Sequence, residues 1–280
     1  MARKITRFPK KRIFITGAGS GLGRALALRF AAEGWKIAIA DINMERAEET
    51  ATLVRGKGGE AMTLRCDVSR PEEIEKAAAS VKEAWGGIDI LVNNAGIAAA
   101  GTMECIPLEE WDRIININFK SVVYGCRTFI PLMKEQGAGH IVNVASNAGI
   151  ASLPEMASYN ATKAAVISLS ETLRAELAEH GIGVTAVCPS FVKTNLMESF
   201  HCTDETQRVM AMGFFNTAIC SPDEFADYTC RSIAKNRLYS IAQRDGRFVW
   251  RFKRRFPELY SKLVIRFNAR MKERLLKYGK

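Results

Sequence analysis

Six short β-branched runs alternating with longer stretches of helical periodicity constrain this chain more than any other feature. The runs fall at 12–16, 36–41, 61–66, 90–93, 140–145 and 184–188. Such runs suit strands buried on both faces of a parallel sheet. Residues 22–33, 46–57, 71–85, 108–136 (in two pieces) and 158–179 read as helices. Asp41 and Asn43 stand where they would cap the second helix. Ser69, Pro71, Glu72 and Glu73 open the third as a cap, a first-turn proline and two acids at the positive helix end. Alternation this regular implies right-handed βαβ units and an α/β, Rossmann-like doubly wound sheet with helices on both faces. A ligand is then expected beyond the carboxyl ends of the strands, near the point where strand order reverses.

After the first run comes Thr16-Gly17-Ala18-Gly19-Ser20-Gly21-Leu22-Gly23, and then a helix. Glycines permit a tight turn and close backbone approach to a pyrophosphate, and the helix N-terminus offers free N–H groups and a positive dipole. Asp41 ends the second strand, 18 residues after Gly23. A carboxylate there can accept hydrogen bonds from both hydroxyls of an adenosine ribose and would repel a 2′-phosphate. Ile42 and Asn43 offer no guanidinium, and the nearest cation, Arg46, lies on the next helix. The expected cofactor is NAD rather than NADP.

Ser146 follows the fifth strand, and Tyr159 and Lys163 lie four residues apart on one helix face. A free tyrosine is a poor base at neutral pH, with a pKa of about 10. A neighbouring ammonium favours the phenolate, which makes Tyr-x-x-x-Lys a device for proton exchange. Ser146 can hold a substrate oxygen beside the phenol.

With these segments together and in order, the chain resembles the short-chain dehydrogenase/reductase family over about residues 10–195. The loop 16–23 matches the family's cofactor fingerprint, and Asp67-Val68 matches its adenine-contacting pair. Asn93-Asn94-Ala95-Gly96 matches the element that supports the central sheet, and Asn118 falls at the fourth catalytic position beside Ser146, Tyr159 and Lys163. The resemblance implies that Tyr159 exchanges a proton with the substrate oxygen and Ser146 orients that oxygen. It implies that Lys163 binds the nicotinamide ribose and tunes Tyr159, and that Asn118 holds a water linking Lys163 to solvent. Pro189, Val192 and Thr194 match the segment that meets the nicotinamide, Thr194 at its carboxamide. Ser190 stands where the family usually has glycine, which puts the local shape of the pocket in question.

Hydrophobic residues make up 48% and charged residues 25%, which excludes a mainly disordered chain. No apolar run approaches a membrane span, and Ile13-Phe14-Ile15 is too short for the core of a secretory signal. Seven cysteines without a CxxC pair fit a reducing compartment and no metal site, so a cytoplasmic enzyme is expected.

The charge is uneven. The net value is +10, and residues 247–280 hold 12 basic and 2 acidic residues, which leaves 28 of each in 1–246. Three segments follow: a basic arm over 1–10, a dehydrogenase domain over 11–246, and a basic tail over 247–280. The arm and first strand carry Arg3, Lys4, Arg7, Lys10, Lys11 and Arg12. Residues 195–222 are expected to cover the substrate with Leu196, Met197, Phe200, Met210, Met212, Phe214 and Phe215, an adaptable apolar surface or a packing surface. In the tail, Pro257 opens a helix on which Leu259, Tyr260, Leu263, Val264, Phe267, Met271 and Leu275 recur at helical spacing among Arg266, Arg270, Lys272, Arg274 and Lys277. Upstream, Phe248, Trp250, Phe252 and Phe256 interleave with Arg251, Lys253, Arg254 and Arg255. This pattern suits an anionic membrane surface, placing the protein peripherally on an inner face, or a neighbouring subunit. Nucleic acid is disfavoured because no nucleic-acid module accompanies the tail, and an acidic carrier protein is the remaining partner.

The expected activity is hydride transfer between NAD(H) and a lipophilic secondary alcohol or ketone: acyl, steroid-like, retinoid-like or alicyclic. The competing readings are reduction of a 3-oxoacyl thioester and a non-catalytic dinucleotide sensor or scaffold. Family resemblance implies a homodimer or homotetramer through the helices around 108–136 and 158–179.

Overall fold

The computed structural model describes residues 5–216 and 220–278. Arg3 and Lys4 lie outside the described residues, as do the side chains of Phe214, Phe215, Lys272, Arg274, Leu275 and Lys277. The first half of the chain runs β1 (Arg12–Thr16), α1 (Gly21–Ala31), β2 (Lys36–Asp41), α2 (Met44–Gly56), β3 (Glu60–Arg65), α3 (Pro71–Trp85), β4 (Ile90–Asn93), β5 (Ala99–Ala100), α4 (Leu108–Ile115) and α5 (Ser121–Gln136). The second half runs β6 (Gly139–Val144), α6 (Ala148–Ala151), α7 (Ala157–Glu176), β7 (Ile182–Val187), β8 (His201–Cys202), α8 (Glu205–Asn216), α9 (Pro222–Ala234), β9 (Tyr239–Ser240), α10 (Arg244–Arg255) and α11 (Pro257–Tyr278).

Seven strands form one parallel sheet in the order β3-β2-β1-β4-β6-β7-β9. Alternate side chains of β1 enter opposite layers, as the two-residue period of a strand requires. Phe14 joins a core with Leu91, Phe129, Ile141 and Val184. Ile13 and Ile15 join a second core with Phe30, Trp35, Ile37, Ile39 and Phe225. The strand order reverses between β1 and β4, which opens a crevice at their carboxyl ends.

Several local expectations are corrected. β9 pairs with β7 through two residues and adds a seventh strand; β5 and β8 form a separate two-residue ladder. Ser69 does not cap α3: its hydroxyl donates to Asp67 Oδ1 at 2.7 Å, and Arg70 takes the capping position. α2 is capped as expected by Asn43, which accepts from Arg46 N at 3.0 Å.

The N-terminal arm is not a free basic surface. Ile5 and Phe8 are buried, and Phe8 packs edge-on against Trp35. Arg12 is buried against Asp89 at 2.9 Å, and Arg7 contacts His140. The boundary placed after 246 falls inside α10, whose start is tied to the body. A Cβ on Gly246 would stand 3.0 Å from both Ile241 Cγ2 and Ser190 Oγ. Among the described residues, no helix is long and apolar enough to cross a membrane.

Candidate active site

The crevice between β1 and β4 is a groove of about 460 Å³. Its floor is held by paired strand ends. Thr16 Oγ1 accepts from Asn94 N at 2.9 Å and from Ala95 N at 3.0 Å, and Asn94 Nδ2 donates to Thr16 O at 2.8 Å. Gly17 has φ +62°, and a Cβ there would lie 2.9 Å from Ala95 Cα, so only glycine suits the turn. α1 begins without a side-chain cap at Ser20, which leaves the first-turn N–H groups directed at the groove. That cradle fits a dinucleotide pyrophosphate.

Of the residues proposed for the cofactor, Gly17, Ser20, Gly21, Leu22, Asp41, Ile42, Asp67, Val68, Asn94, Ala95, Gly96, Pro189, Val192 and Thr194 line the groove, with Ser146, Tyr159 and Lys163. Thr16, Gly23 and Asn118 stand behind the wall. A Cβ on Gly23 would lie 2.3 Å from Gly17 O, so this glycine serves the packing of helix on loop. Asn118 is fully buried, donates to Ile97 O at 2.9 Å and accepts from Ile97 N at 2.8 Å. It lies in a π-helical turn, Asn116–Lys120, where the two pieces expected within 108–136 join. Gly96 keeps the space between Asn118 and Lys163 open, since a Cβ there would sit 3.1 Å from Asn118 Oδ1 and 3.3 Å from Lys163 Nζ.

Asp41 both lines the groove and braces the loop. Its Oδ2 accepts from Gly19 N at 2.8 Å and its Oδ1 from Asn43 N at 2.9 Å. Arg46 reaches the same groove, but its guanidinium is engaged by Glu198 at 2.8 Å. The sequence marked Arg46 as the nearest cation and gave no sign of this pairing, which spans 152 residues.

Ser146 Oγ accepts from Ala148 N at 3.1 Å. Lys163 is buried, and its Nζ donates to Val144 O at 3.0 Å and stands 5.8 Å from the centroid of the Tyr159 ring. Burial pushes the Lys163 amine down to about 8. Burial also holds the Tyr159 phenol above its ordinary value, and a hydrogen bond with Ser146 opposes that rise. The lowered phenol expected from a neighbouring ammonium is therefore not found. Desolvation outweighs a lysine whose Nζ is turned to a backbone carbonyl.

Beyond Ser146 and Tyr159 lies a second, largely apolar cavity of about 330 Å³. Leu196, Phe200 and Met210 of the expected covering segment line it; Met197 packs beside Phe200, and Met212 is exposed. Its remaining wall was not anticipated. Val249 of α10 and Tyr260, Phe267, Asn268 and Met271 of α11 close it. The apolar stripe of α11 was visible in the sequence, but what it covers was not. Asn147 and Ser190 also line this cavity, and among the described residues Asn147 Oδ1 and Ser190 Oγ are buried without a hydrogen-bond partner.

Residues 11–205 match the family model of the short chain dehydrogenases. The chain is 40% identical over 234 residues to the probable oxidoreductase EphD of Mycobacterium tuberculosis (strain H37Rv), covering 80% of this chain and 40% of that protein. It thus spans less than half the length of that relative. It is 38% identical over 188 residues to 2-(R)-hydroxypropyl-CoM dehydrogenase of Xanthobacter autotrophicus, covering 66% of this chain and 75% of that one. A crystal structure of a short-chain dehydrogenase/reductase from Burkholderia phymatum in complex with NAD superposes with a TM-score of 0.83 at 32% identity, covering 88% and 94% of the two chains. Motif order, sheet topology and these matches agree: the chain belongs to the short-chain dehydrogenase/reductase family of NAD(P)-dependent oxidoreductases.

Proposed function

We propose that this enzyme transfers hydride between NAD(H) and the carbinol or carbonyl carbon of a lipophilic secondary alcohol or ketone. One observation carries the reading: Ser146 and Tyr159 line both the dinucleotide groove and the apolar cavity, and so stand on their common boundary. A nicotinamide dinucleotide, when bound, supplies or accepts the hydride. The chain's own residues bind, orient and move a proton. Tyr159 Oη gives its proton to the carbonyl oxygen in reduction and takes it back in oxidation. Ser146 Oγ donates a hydrogen bond to the same oxygen. Lys163 holds the nicotinamide ribose and stands behind Tyr159. Asn118 keeps the Gly96–Ile97 backbone in place beside Lys163.

The uncapped start of α1 takes the pyrophosphate and Asp41 the adenosine ribose. NAD is favoured over NADP because Asp41 faces the ribose position and Glu198 occupies Arg46. The Xanthobacter relative is named for a secondary alcohol, which supports that substrate class. We place the enzyme in the cytoplasm, as a homodimer or homotetramer through α4, α5 and α7, with its basic tail against an anionic membrane face.

The test is a screen of secondary alcohols with NAD⁺, followed by NADH absorbance. Turnover on a medium-chain 2-alkanol or an alicyclic alcohol should exceed that on 2-propanol by at least about tenfold, since each buried methylene contributes about 0.8 kcal/mol. Preference for the short alcohol, or no turnover with either nucleotide, would overturn the proposal.

A further inference from the structure

Two observations about α10 and α11 meet at the cavity. First, α11 is 22 residues long, and none of its described side chains is fully buried. Of its half-buried residues Tyr260, Val264, Asn268 and Met271, all but Val264 line the cavity, and Tyr260 Oη donates to Ala151 O at 2.8 Å. Phe267 lines the cavity as well, yet is 52% exposed, so the wall there is one side chain thick. Second, the outer surface is apolar and basic together. Phe248, Phe256, Leu259 and Leu263 are exposed. Phe248 stacks on Phe252 at 5.5 Å, and Phe252 meets Phe256 at 5.7 Å and Tyr260 at 6.4 Å, which forms a continuous aromatic ridge. Arg251, Arg254, Arg255, Lys262, Arg266 and Arg270 are exposed, and among the described residues none forms a salt bridge.

We propose that this ridge of α10 and α11 is the surface on which an anionic bilayer docks, and that the lipophilic substrate passes from the bilayer into the cavity at Phe267. The inference rests on the lipophilic-substrate reading given above. Charge complementarity selects the occupant. A second copy of this face would set like charges against one another, and the whole excess of +10 lies in this segment. A bilayer with anionic headgroups supplies the opposite sign and accepts aromatic side chains at its boundary. The juxtaposition also explains why exposed apolar residues lie beside a substrate cavity: substrate crossing there stays out of water.

Three measurements on the full chain test this. In co-sedimentation, vesicles containing about a third phosphatidylglycerol should bind at least about tenfold more tightly than phosphatidylcholine alone, and high salt should remove most of the difference. Failure to bind, with loss of oligomer on removing 257–280, would make the ridge a subunit interface and overturn the proposal. Dibrominated lipid should quench the added emission of Leu263→Trp but not that of Ile265→Trp, which lies on about the opposite side of α11. Equal quenching at both sites, or at neither, would refute the docking face. The rate on 2-dodecanol should follow its mole fraction in the vesicles; a rate that follows only the free aqueous concentration would refute the entry route. Selective quenching together with no turnover on any alcohol would instead reject the substrate reading and leave the docking face standing.

Discussion

Replacing Lys163 with methionine should stabilise the nucleotide-free protein while abolishing its chemistry. Lys163 is 4% exposed, its amine is pushed down to about 8 from an ordinary 10.5, and its Nζ donates to Val144 O. Because the folded-state pKa is the lower one, the charged form disfavours folding. That cost is fully present below pH 8 and fades as the pH rises from about 8 towards 10.5. At about 1.4 kcal/mol for each tenfold change, it amounts to roughly 3 kcal/mol at pH 7. Methionine fills similar space and removes the cost, but takes a donor from Val144 O, which offsets about 1 kcal/mol. The variant should therefore be about 2 kcal/mol more stable at pH 7, or several degrees in Tm. Most of the gain should be gone by about pH 9.5. Urea denaturation of both proteins at the two pH values measures it. A variant less stable at pH 7, or a gain that does not change with pH, would refute the reasoning. The combination expected, higher stability without turnover, is the signature of a charge kept for function.

Three further outcomes follow from the geometry. Gly17→Ala places a Cβ 2.9 Å from Ala95 Cα at φ +62°, and should cost about 1–3 kcal/mol in urea denaturation and weaken NADH binding in fluorescence titration. Asp89→Asn leaves the buried Arg12 guanidinium without its carboxylate and should lower stability by about 3–5 kcal/mol, read by the same denaturation. Asp41→Ala removes the proposed ribose acceptor and should narrow the preference for NADH over NADPH at least about tenfold, seen as a ratio of dissociation constants.

The motifs of the candidate site were legible because they lie in short segments whose spacing survives in one dimension. The loop 16–23 precedes a helix, Tyr159 and Lys163 share one face of α7, and both expectations match the structure. Of the six main-sheet strands visible in the sequence, β1, β2, β4, β6 and β7 are buried on both faces and leave apolar runs, whereas β3 at the sheet edge is half-buried or exposed throughout. The seventh, Tyr239–Ser240, is two residues long and has no such run. The turn at Asn118 continues the helical pattern on either side, so only backbone hydrogen bonding distinguishes it. Arg12 read as one more basic residue because its partner, Asp89, is 77 positions away. The tail shows the same limit on a larger scale. A 3.6-residue period states that a stripe of α11 needs cover, and does not state that it closes the apolar cavity beyond Ser146 and Tyr159.

The most direct measurement of the central claim compares Tyr159→Phe with the parent enzyme, using NADH fluorescence titration and NAD⁺-dependent oxidation of the preferred secondary alcohol. The ring remains and only the proton-bearing oxygen is lost. NADH affinity should stay within about twofold, while turnover falls at least about a hundredfold, the lower range for a lost general acid–base. Turnover retained within about tenfold of the parent would show that Tyr159 does not move the proton, and would contradict the account.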